Sequence, residues 1–238
     1  MTLRIAAAVP PRGNLLLAAL PKRERRRLIA RCEPVELALG DVLYDVGDRI
    51  RDVYFPTASF ISLISSVDKD SRLEVGLVGT EGMLGVSLLL GVAMSPLRAL
   101  VQGTGSALRI NGREFSRAIK RSPILAKLLN RYLYVVLNQL GQMAGCARYH
   151  LVEARLARWL LMTRDRAHSN DFRLTQEFLA YMLGVRRAGI THAASALQRR
   201  KLIQYARGRM TILDVRGLEA VSCQCYADSA RMYARLMN

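Results

Sequence analysis

One short segment in the C-terminal third of the chain carries side chains whose chemistry suits a nucleic acid. They share the polar side of a predicted helix: Arg187, Ala188, Thr191, His192 and Ser195. A guanidinium group can donate two hydrogen bonds to guanine, a hydroxyl or imidazole can bond base edges or phosphate, and an alanine methyl can pack against thymine. This side has no large aliphatic residue, so core packing does not explain it. The set predicts contacts with base edges in the major groove of DNA.

Two helices and a glycine turn are predicted to position these side chains. Thr175 can cap the first helix, and Gly184 can take the left-handed conformation that ends it. The second helix spans about residues 187–201 and turns Ile190, Ala194 and Leu197 inward. Helix, turn and helix at this spacing is the helix-turn-helix arrangement. Arg186, in the turn, is expected to lie against phosphate, and Thr175 and Gln176 are counted among the DNA-contacting residues.

A predicted hairpin follows directly. Residues 205–212 read as two short strands around an Arg-Gly pair, which places Arg207 and Arg209 at the tip. Taken alone, this is equally well an exposed turn with incidental charge. After a helix-turn-helix it is better interpreted as a wing that contacts the sugar–phosphate backbone.

The distribution of charge agrees with this interpretation. The chain has 238 residues and a net charge of +17, which favours a polyanionic partner. Residues 173–216 carry nine basic and two acidic residues, whereas residues 32–98 carry five basic and ten acidic ones. Basic clusters at 22–31 and 109–131 are expected to be ordinary polar helix faces. With no apolar run long enough for a bilayer, and with Pro10 and Pro11 interrupting the apolar residues 5–9, we expect a cytoplasmic protein without membrane or secretory segments.

Upstream, the hydrophobic pattern predicts an α+β fold. Residues 14–31 are typical of one amphipathic helix. From 35 to 110, short β-branched and aromatic runs alternate with turn residues, which predicts an antiparallel, jelly-roll-like β domain. Apolar residues then recur at helical spacing over residues 123–143, and a further helix is predicted over residues 152–166.

The long helix is expected to pair with a second copy of itself, although its stripe could simply pack on its own sheet domain. A homodimer is favoured because the apolar face is wide. The predicted interface residues are Leu125, Leu128, Leu129, Tyr132, Val136, Leu140 and Met143.

Catalytic and metal sites are not expected. The sequence has no phosphate-binding P-loop and no hydrolase or zinc-protease motif, and the carboxylates of the β region are assigned to solvated turns. Cys223 and Cys225 are the only closely spaced cysteines, with Cys32 and Cys146 far away. Free thiols and separate, non-ligating histidines are therefore preferred over a zinc or iron–sulfur site.

Residues 174–203 and 207–214 resemble the DNA-binding domain of the Crp/Fnr regulators, and Gly40 to Gly47 is similar to the start of that family's cyclic-nucleotide-binding-like β-roll. The resemblance covers nearly the whole chain. It implies a β-roll sensor domain with an N-terminal helix at 1–120, a dimerisation helix at 121–148 and a winged helix-turn-helix at 149–238. It also implies a homodimer on a two-fold-related double-stranded DNA site, with RNA polymerase as a further partner.

Two departures from the family pattern affect the expected ligands. An effector site implied by the resemblance would involve Glu81, Gly82, Gly85 and Arg98, but the ribose-binding carboxylate is missing and the phosphate-binding arginine is absent or displaced to Arg98. Cyclic nucleotide binding, or any other cofactor, is therefore not expected. Ala188 and His192 replace the family's common Glu and Arg, so a different operator is expected. The alternative function is a cyclic-nucleotide-responsive signalling module whose C-terminal domain binds protein.

Overall fold

The computed structural model describes residues 13–66 and 72–237. The apolar residues 5–9 and the two prolines after them, on which the argument against a secretory signal depends, lie outside these described residues. Within them, none of the helices combines the length and the apolar character that a membrane crossing needs.

The N-terminal region contains two short helices, α1 (Leu15–Ala18) and α2 (Lys22–Ile29), and not the single helix predicted over residues 14–31. The break comes at Pro21, which precedes α2 with an extended ψ of 142°. Proline has no N–H group to continue a helix, and its ring disfavours helical conformation in the residue before it. The prediction of one helix was therefore wrong at this position.

The β domain consists of two antiparallel sheets that face each other. One sheet has the strand order β1-β7-β3 and the other β2-β6-β4-β5. Ile61, Ala99 and Val101 are fully buried between them. The predicted antiparallel β-roll is confirmed, and its strands are β1 (Glu33–Leu37), β2 (Val42–Tyr44), β3 (Asp52–Pro56), β4 (Phe60–Ser66), β5 (Arg72–Val78), β6 (Arg98–Gly103) and β7 (Gly105–Asn111).

Three helices follow the β-roll: α3 (Gly112–Arg121), the long α4 (Pro123–Tyr149) and α5 (Val152–Ala167). The side chain of Ser122 accepts a hydrogen bond from the Leu125 N–H group, and Pro123 occupies the first helical position, where its missing N–H costs nothing. The chain is therefore locally prepared to begin α4 at this point.

The predicted dimer residues divide into two groups. Leu125, Leu128, Leu129 and Tyr132 are buried in a core that α4 shares with the β-roll and α3. Because these four side chains are already packed within their own chain, they offer little surface to a second copy, and their assignment to a dimer interface stays a prediction. Val136, Leu140 and Met143 are only partly buried.

The C-terminal region begins with a small three-stranded sheet of order β8-β10-β9 packed with helices. Its elements are β8 (Asp171–Arg173), α6 (Gln176–Leu183), α7 (Arg187–Arg199), β9 (Ile203–Ala206), β10 (Arg209–Ile212), α8 (Val215–Val221) and α9 (Cys225–Met237). The last helix, α9, turns back: Met237 is buried in the same core as Phe115 and Leu129. The C-terminal end of the chain therefore packs on α4 and the β-roll.

Candidate nucleic-acid interface

Helices α6 and α7 form the predicted helix-turn-helix. The Thr175 side chain accepts a hydrogen bond from the Phe178 N–H group at 3.0 Å and so caps α6. Gly184 ends α6 with φ of +61°, in the left-handed region that favours glycine. Leu179 of α6 and Ile190 of α7 are both fully buried in the same hydrophobic core. This shared core fixes the angle between the two helices.

The predicted recognition face of α7 is open to solvent. Ile190, Ala194 and Leu197 point into the core, with at most 2% of each residue exposed. The opposite side of the helix is exposed to solvent at every predicted position: Arg187, Ala188, Thr191, His192 and Ser195. No other described part of the chain covers this face, so a groove of DNA can reach it without any local unfolding.

Two of the predicted contact residues are linked by a hydrogen bond. The Thr191 hydroxyl donates to Gln176 Oε1 at 2.8 Å, across the angle between α7 and α6. This bond orients the Gln176 amide so that its N–H groups remain free to donate. Arg186, in the turn, is exposed, and so is Thr175, whose hydroxyl already caps α6.

The hairpin between β9 and β10 forms the predicted wing. Arg207 and Gly208 both have positive φ, +50° and +75°, as a two-residue type I′ turn requires. Arg209 approaches Asp171 to 3.4 Å, but 72% of the arginine side chain remains exposed. Such a solvent-exposed pair contributes little, so the Arg209 guanidinium can exchange this partner for a phosphate.

Asp171 is held mainly by its neighbour on the next strand. The Thr211 hydroxyl donates to Asp171 Oδ1 at 2.7 Å. This hydrogen bond, and to a smaller extent the charge of Arg209, lowers the pKa of the Asp171 carboxyl below its ordinary value. The base of the wing is therefore stabilised independently of the arginines at its tip.

Known proteins share this geometry. A model for the Crp-like helix-turn-helix domain matches residues 154–221. The structure is similar to a regulator of the Crp/Fnr family from Eubacterium rectale, with a TM-score of 0.69 and 17% identity, covering 87% of this chain and 96% of that one. The chain has the Crp/Fnr fold. No curated protein sequence matches it.

Two further structures with the Crp/Fnr fold are similar over most of their length. The c-di-GMP-responsive global regulator CLP of Xanthomonas campestris has a TM-score of 0.68 and 16% identity, covering 82% of this chain and 100% of CLP. FixK2 from Bradyrhizobium japonicum has a TM-score of 0.67 and 13% identity, covering 81% of this chain and 98% of FixK2. At these identities the likeness establishes the fold, and ligands must be argued from this chain's own residues.

Two of the residues implied as an effector site make contacts within the Crp/Fnr fold instead. Glu81 Oε1 accepts hydrogen bonds from Arg166 of α5, at 2.6 Å from Nη2 and 3.0 Å from Nε. A Cβ atom on Gly82 would lie 2.2 Å from the Tyr132 hydroxyl, so only glycine permits this close approach of the loop to α4.

The other two implied residues are engaged elsewhere in the β-roll. Arg98 donates to Asp45 at 2.8 Å, and Gly85 has φ of +98° beside Val53. A groove of about 720 Å³ between the β-roll and α3 includes none of the four residues. An effector role for Glu81, Gly82, Gly85 and Arg98 therefore stays a prediction.

A buried carboxyl group lies where the β-roll meets α5. Glu74 of β5 is 2% exposed and accepts hydrogen bonds from Ser62 at 2.5 Å, Trp159 at 2.9 Å and Gln102 at 3.0 Å. Burial raises its pKa to about 7, against the lowering effect of the hydrogen bonds from Ser62 and Trp159. The expectation that carboxylates of the β region are solvated was wrong for Glu74. Its side chain is covered by α5, whose Trp159 comes 85 residues later in the sequence.

Strand β5 also supports the helix-turn-helix itself. Arg72 lies over the Tyr181 ring of α6, 5.4 Å from its centroid, and donates to its hydroxyl at 3.2 Å. A Cβ atom on Gly184, in the turn, would lie 3.1 Å from Leu73 Cδ1. The β-roll therefore contacts the helix-turn-helix directly, and α4 is not the only element between them.

The structure also brings together residues that the sequence left apart. Cys146, His150, Cys223 and Cys225 place their ligand atoms within 4.8 Å of one another. Cys146 and Cys223 are 77 positions apart in sequence, so spacing gave no signal for this cluster. All four cysteines, including Cys32, are free of disulfides, as expected.

Proposed function

We propose that this chain is a sequence-specific DNA-binding transcription regulator of the Crp/Fnr type. It binds a two-fold-related operator as a homodimer and acts on transcription through RNA polymerase. The β-roll serves as the sensor domain of a signal that is still to be identified.

The single observation that carries the proposal is the uncovered polar face of α7 beside the basic wing. Arg187 and His192 project from this face together with the small residue Ala188, and the buried side of the same helix fixes their direction. A protruding helix of this kind fits the major groove, while Arg207 and Arg209 are positioned for the adjacent backbone. Residues 173–216 have a net charge of +7, which favours association with phosphates.

A second apolar stripe of α4 supports the homodimer. Its residues follow alternating steps of four and three, the spacing of a coiled-coil seam, and all are partly or fully exposed: Leu133, Leu137, Leu140, Ala144 and Ala147. Leu137 is 58% exposed. Two copies of α4 that pair along this stripe bury it and leave the β-roll side of the helix unchanged. A two-fold dimer places its two recognition helices on half-sites about 34–36 Å apart.

The contacts between the β-roll and α5 suggest how a signal is transmitted to the helix-turn-helix. The Glu74–Trp159 hydrogen bond and the Glu81–Arg166 ion pair both join the β-roll to α5, the helix that leads into the helix-turn-helix. A signal that alters β5 or the loop after it would change these contacts and shift the winged domain. A modest rotation is enough to put two recognition helices in or out of register with DNA.

Selection of bound fragments from a genomic DNA pool tests the proposal. We expect the full chain to enrich fragments that share a two-fold-related motif, with affinity that falls steeply as salt is raised because phosphate contacts release counterions. The Arg187→Ala variant should enrich a motif that has lost its base preference at one position of each half-site, whereas Gln198→Ala, at an exposed residue near the end of the same helix, should enrich the original motif. Enrichment of no common motif, or binding indifferent to salt, would contradict the proposal.

A further inference from the structure

Three thiols and one imidazole converge at the joint between the long helix and the C-terminal region. Cys146 lies in the last turn of α4, and His150 follows the end of that helix. Cys223 and Cys225 flank the connection between α8 and α9. The three cysteines are buried and His150 is half-buried, and all four ligand atoms lie within 4.8 Å of one another. Two separate stretches of chain therefore contribute to one compact group.

The distances within this group match the edges of a small coordination tetrahedron. Cys146 Sγ lies 3.6 Å from Cys223 Sγ, and Cys225 Sγ lies 3.6 Å from His150 Nδ1. Zinc bonds of about 2.3 Å to sulfur and 2.0 Å to nitrogen give tetrahedral edges of roughly 3.5–3.8 Å. A central ion can thus reach all four atoms after only small side-chain adjustments.

The same distances argue against the other uses of such residues. Cys146 and Cys223 are free thiols whose sulfur atoms lie 3.6 Å apart, so they are not joined by the bond of about 2.05 Å that a disulfide has. An iron–sulfur cluster distributes its ligands over several iron atoms, which spreads them farther apart than this group. The compact set is therefore suited to a single ion.

A buried cation faces the group and lacks a carboxylate partner. Arg158 of α5 is 7% exposed, and its Nη1 atom donates to Cys146 Sγ at 3.3 Å. Its Nε atom has no hydrogen-bond partner, and among the described residues no carboxylate lies within ion-pair distance of it, although its charge helps to lower the pKa of Glu74. A buried guanidinium normally requires a counter-charge. Three thiolates, one neutral imidazole and one divalent ion carry a net charge of −1, which Arg158 would balance as an outer partner.

We propose that Cys146, His150, Cys223 and Cys225 bind one divalent zinc-class metal ion in tetrahedral coordination. Binding releases the three thiol protons to solvent, with no oxidation or reduction. The ion would join the end of α4 to the connection between α8 and α9. It would thereby fix the connection at His150 and Leu151, which joins α4 to α5 and the helix-turn-helix that follows. This site is independent of whether the chain binds DNA.

Cobalt(II) substitution in the full chain tests the site, with total metal measured on protein purified in the presence of zinc and a thiol reductant. We expect about one zinc ion per chain, and cobalt(II) should give the intense visible bands of tetrahedral thiolate coordination. Cys32→Ser, which alters the one cysteine outside the group, is the matched control and should behave like the original chain. Cys146→Ser and Cys223→Ser should each retain less than about a tenth of the metal.

A fourth variant separates loss of the metal from loss of the fold. His150→Cys keeps four ligands, so it should still bind one cobalt ion, but with bands shifted to longer wavelength because a thiolate exerts a weaker ligand field than imidazole. Circular dichroism of each variant checks its secondary structure. A merely structural role for His150 would leave the cobalt spectrum unchanged.

Several results would overturn the proposal. One is a properly folded original chain that retains no zinc and gives no tetrahedral cobalt spectrum. Another is equal metal loss in Cys32→Ser and Cys223→Ser. Iron with acid-labile sulfide in place of zinc, or a Cys146–Cys223 disulfide in peptides from protein freshly isolated with its thiols blocked, would assign the group to a different chemistry.

Discussion

The reader surface and the sensor region of this chain use their polar residues in opposite ways. On α7, the Arg187 and His192 side chains are exposed, and neither has an acidic partner among the described residues. In the β-roll, Glu74, Glu81 and Arg98 are all paired within the chain. Polar groups that are unpaired and exposed are available to a ligand, whereas paired ones hold domains together. In the function we propose, the first region binds DNA and the second transmits a signal to it.

The largest expected effect concerns the long helix, which serves both regions. Leu129→Ala removes a side chain that is 1% exposed in the core shared by α4 and the β-roll. We expect the free energy of unfolding to fall by about 2–5 kcal/mol, the usual result of truncating a buried leucine. Denaturant unfolding at several protein concentrations measures it.

The exposed residue Leu137, two turns farther along the same helix, is the matched control. Leu137→Ala should shift the monomer–dimer equilibrium measured by sedimentation while leaving the stability of the separated chain nearly unchanged. If Leu129→Ala instead weakened only the dimer, the assignment of the two stripes of α4 would be reversed.

The next effect is on the reader surface. Arg187→Ala should cost about 1–3 kcal/mol of specific DNA binding and relax base choice at one position in each half-site, because a bidentate contact to guanine is lost. Affinity for a panel of single-base operator variants measures both effects. Equal loss in the Gln198→Ala control would show that the change is not specific to the recognition face.

Glu74 is the corresponding test of the sensor region. Its pKa is raised to about 7 in the folded chain from an ordinary value of 4.5. Between pH 4.5 and about 7, the folded state holds a proton that the unfolded state has released. The free energy of unfolding therefore falls as the pH rises through this range. Glu74→Gln should remove this slope and stabilise the chain above pH 7 by up to about 3 kcal/mol, since each pKa unit corresponds to about 1.4 kcal/mol.

Denaturant unfolding of the original chain and of Glu74→Gln, at several pH values across the window, gives the comparison. Glu36→Gln, an exposed carboxyl on β1, controls for the loss of one charge. Parallel pH profiles for the original chain and Glu74→Gln would mean that the buried carboxyl does not titrate as described.

The smallest effect is expected at the wing. Arg209 lies against a phosphate in our account, so Arg209→Ala should weaken binding to all sequences alike by about 1 kcal/mol and reduce the slope of log affinity against log salt by about 1. Salt titration with specific and nonspecific DNA measures it. A loss confined to the specific sequence would move Arg209 from the backbone to a base.

Local sequence patterns were sufficient to predict the helix-turn-helix. Thr175, Gly184 and the inward residues of α7 lie within one contiguous stretch, and each is fixed by neighbours a few positions away, so capping and periodicity determine the local fold. The antiparallel β-roll was also predictable, because short alternating strands with turns between them favour that architecture.

Contacts between distant segments were not predictable in the same way. The sequence pattern of the apolar stripe at Leu129 is the same whether the stripe packs on a second copy or on the β-roll. Periodicity indicates that a helix face is buried, but it does not identify the surface that covers it. Trp159, which donates to Glu74, and Cys146, which lies beside Cys223, are on helices 85 and 77 positions away in the sequence. Their positions follow from tertiary packing, which one sequence does not encode locally.

Chemical protection of operator guanines tests the central claim most directly. Dimethyl sulfate methylates guanine N7, which is exposed in the major groove where α7 is expected to lie. The account predicts protected guanines in two patches about one helical turn apart, and loss of that protection in Arg187→Ala at concentrations that still occupy the site. Unprotected N7 atoms on an occupied operator, or protection unchanged by Arg187→Ala, would contradict it.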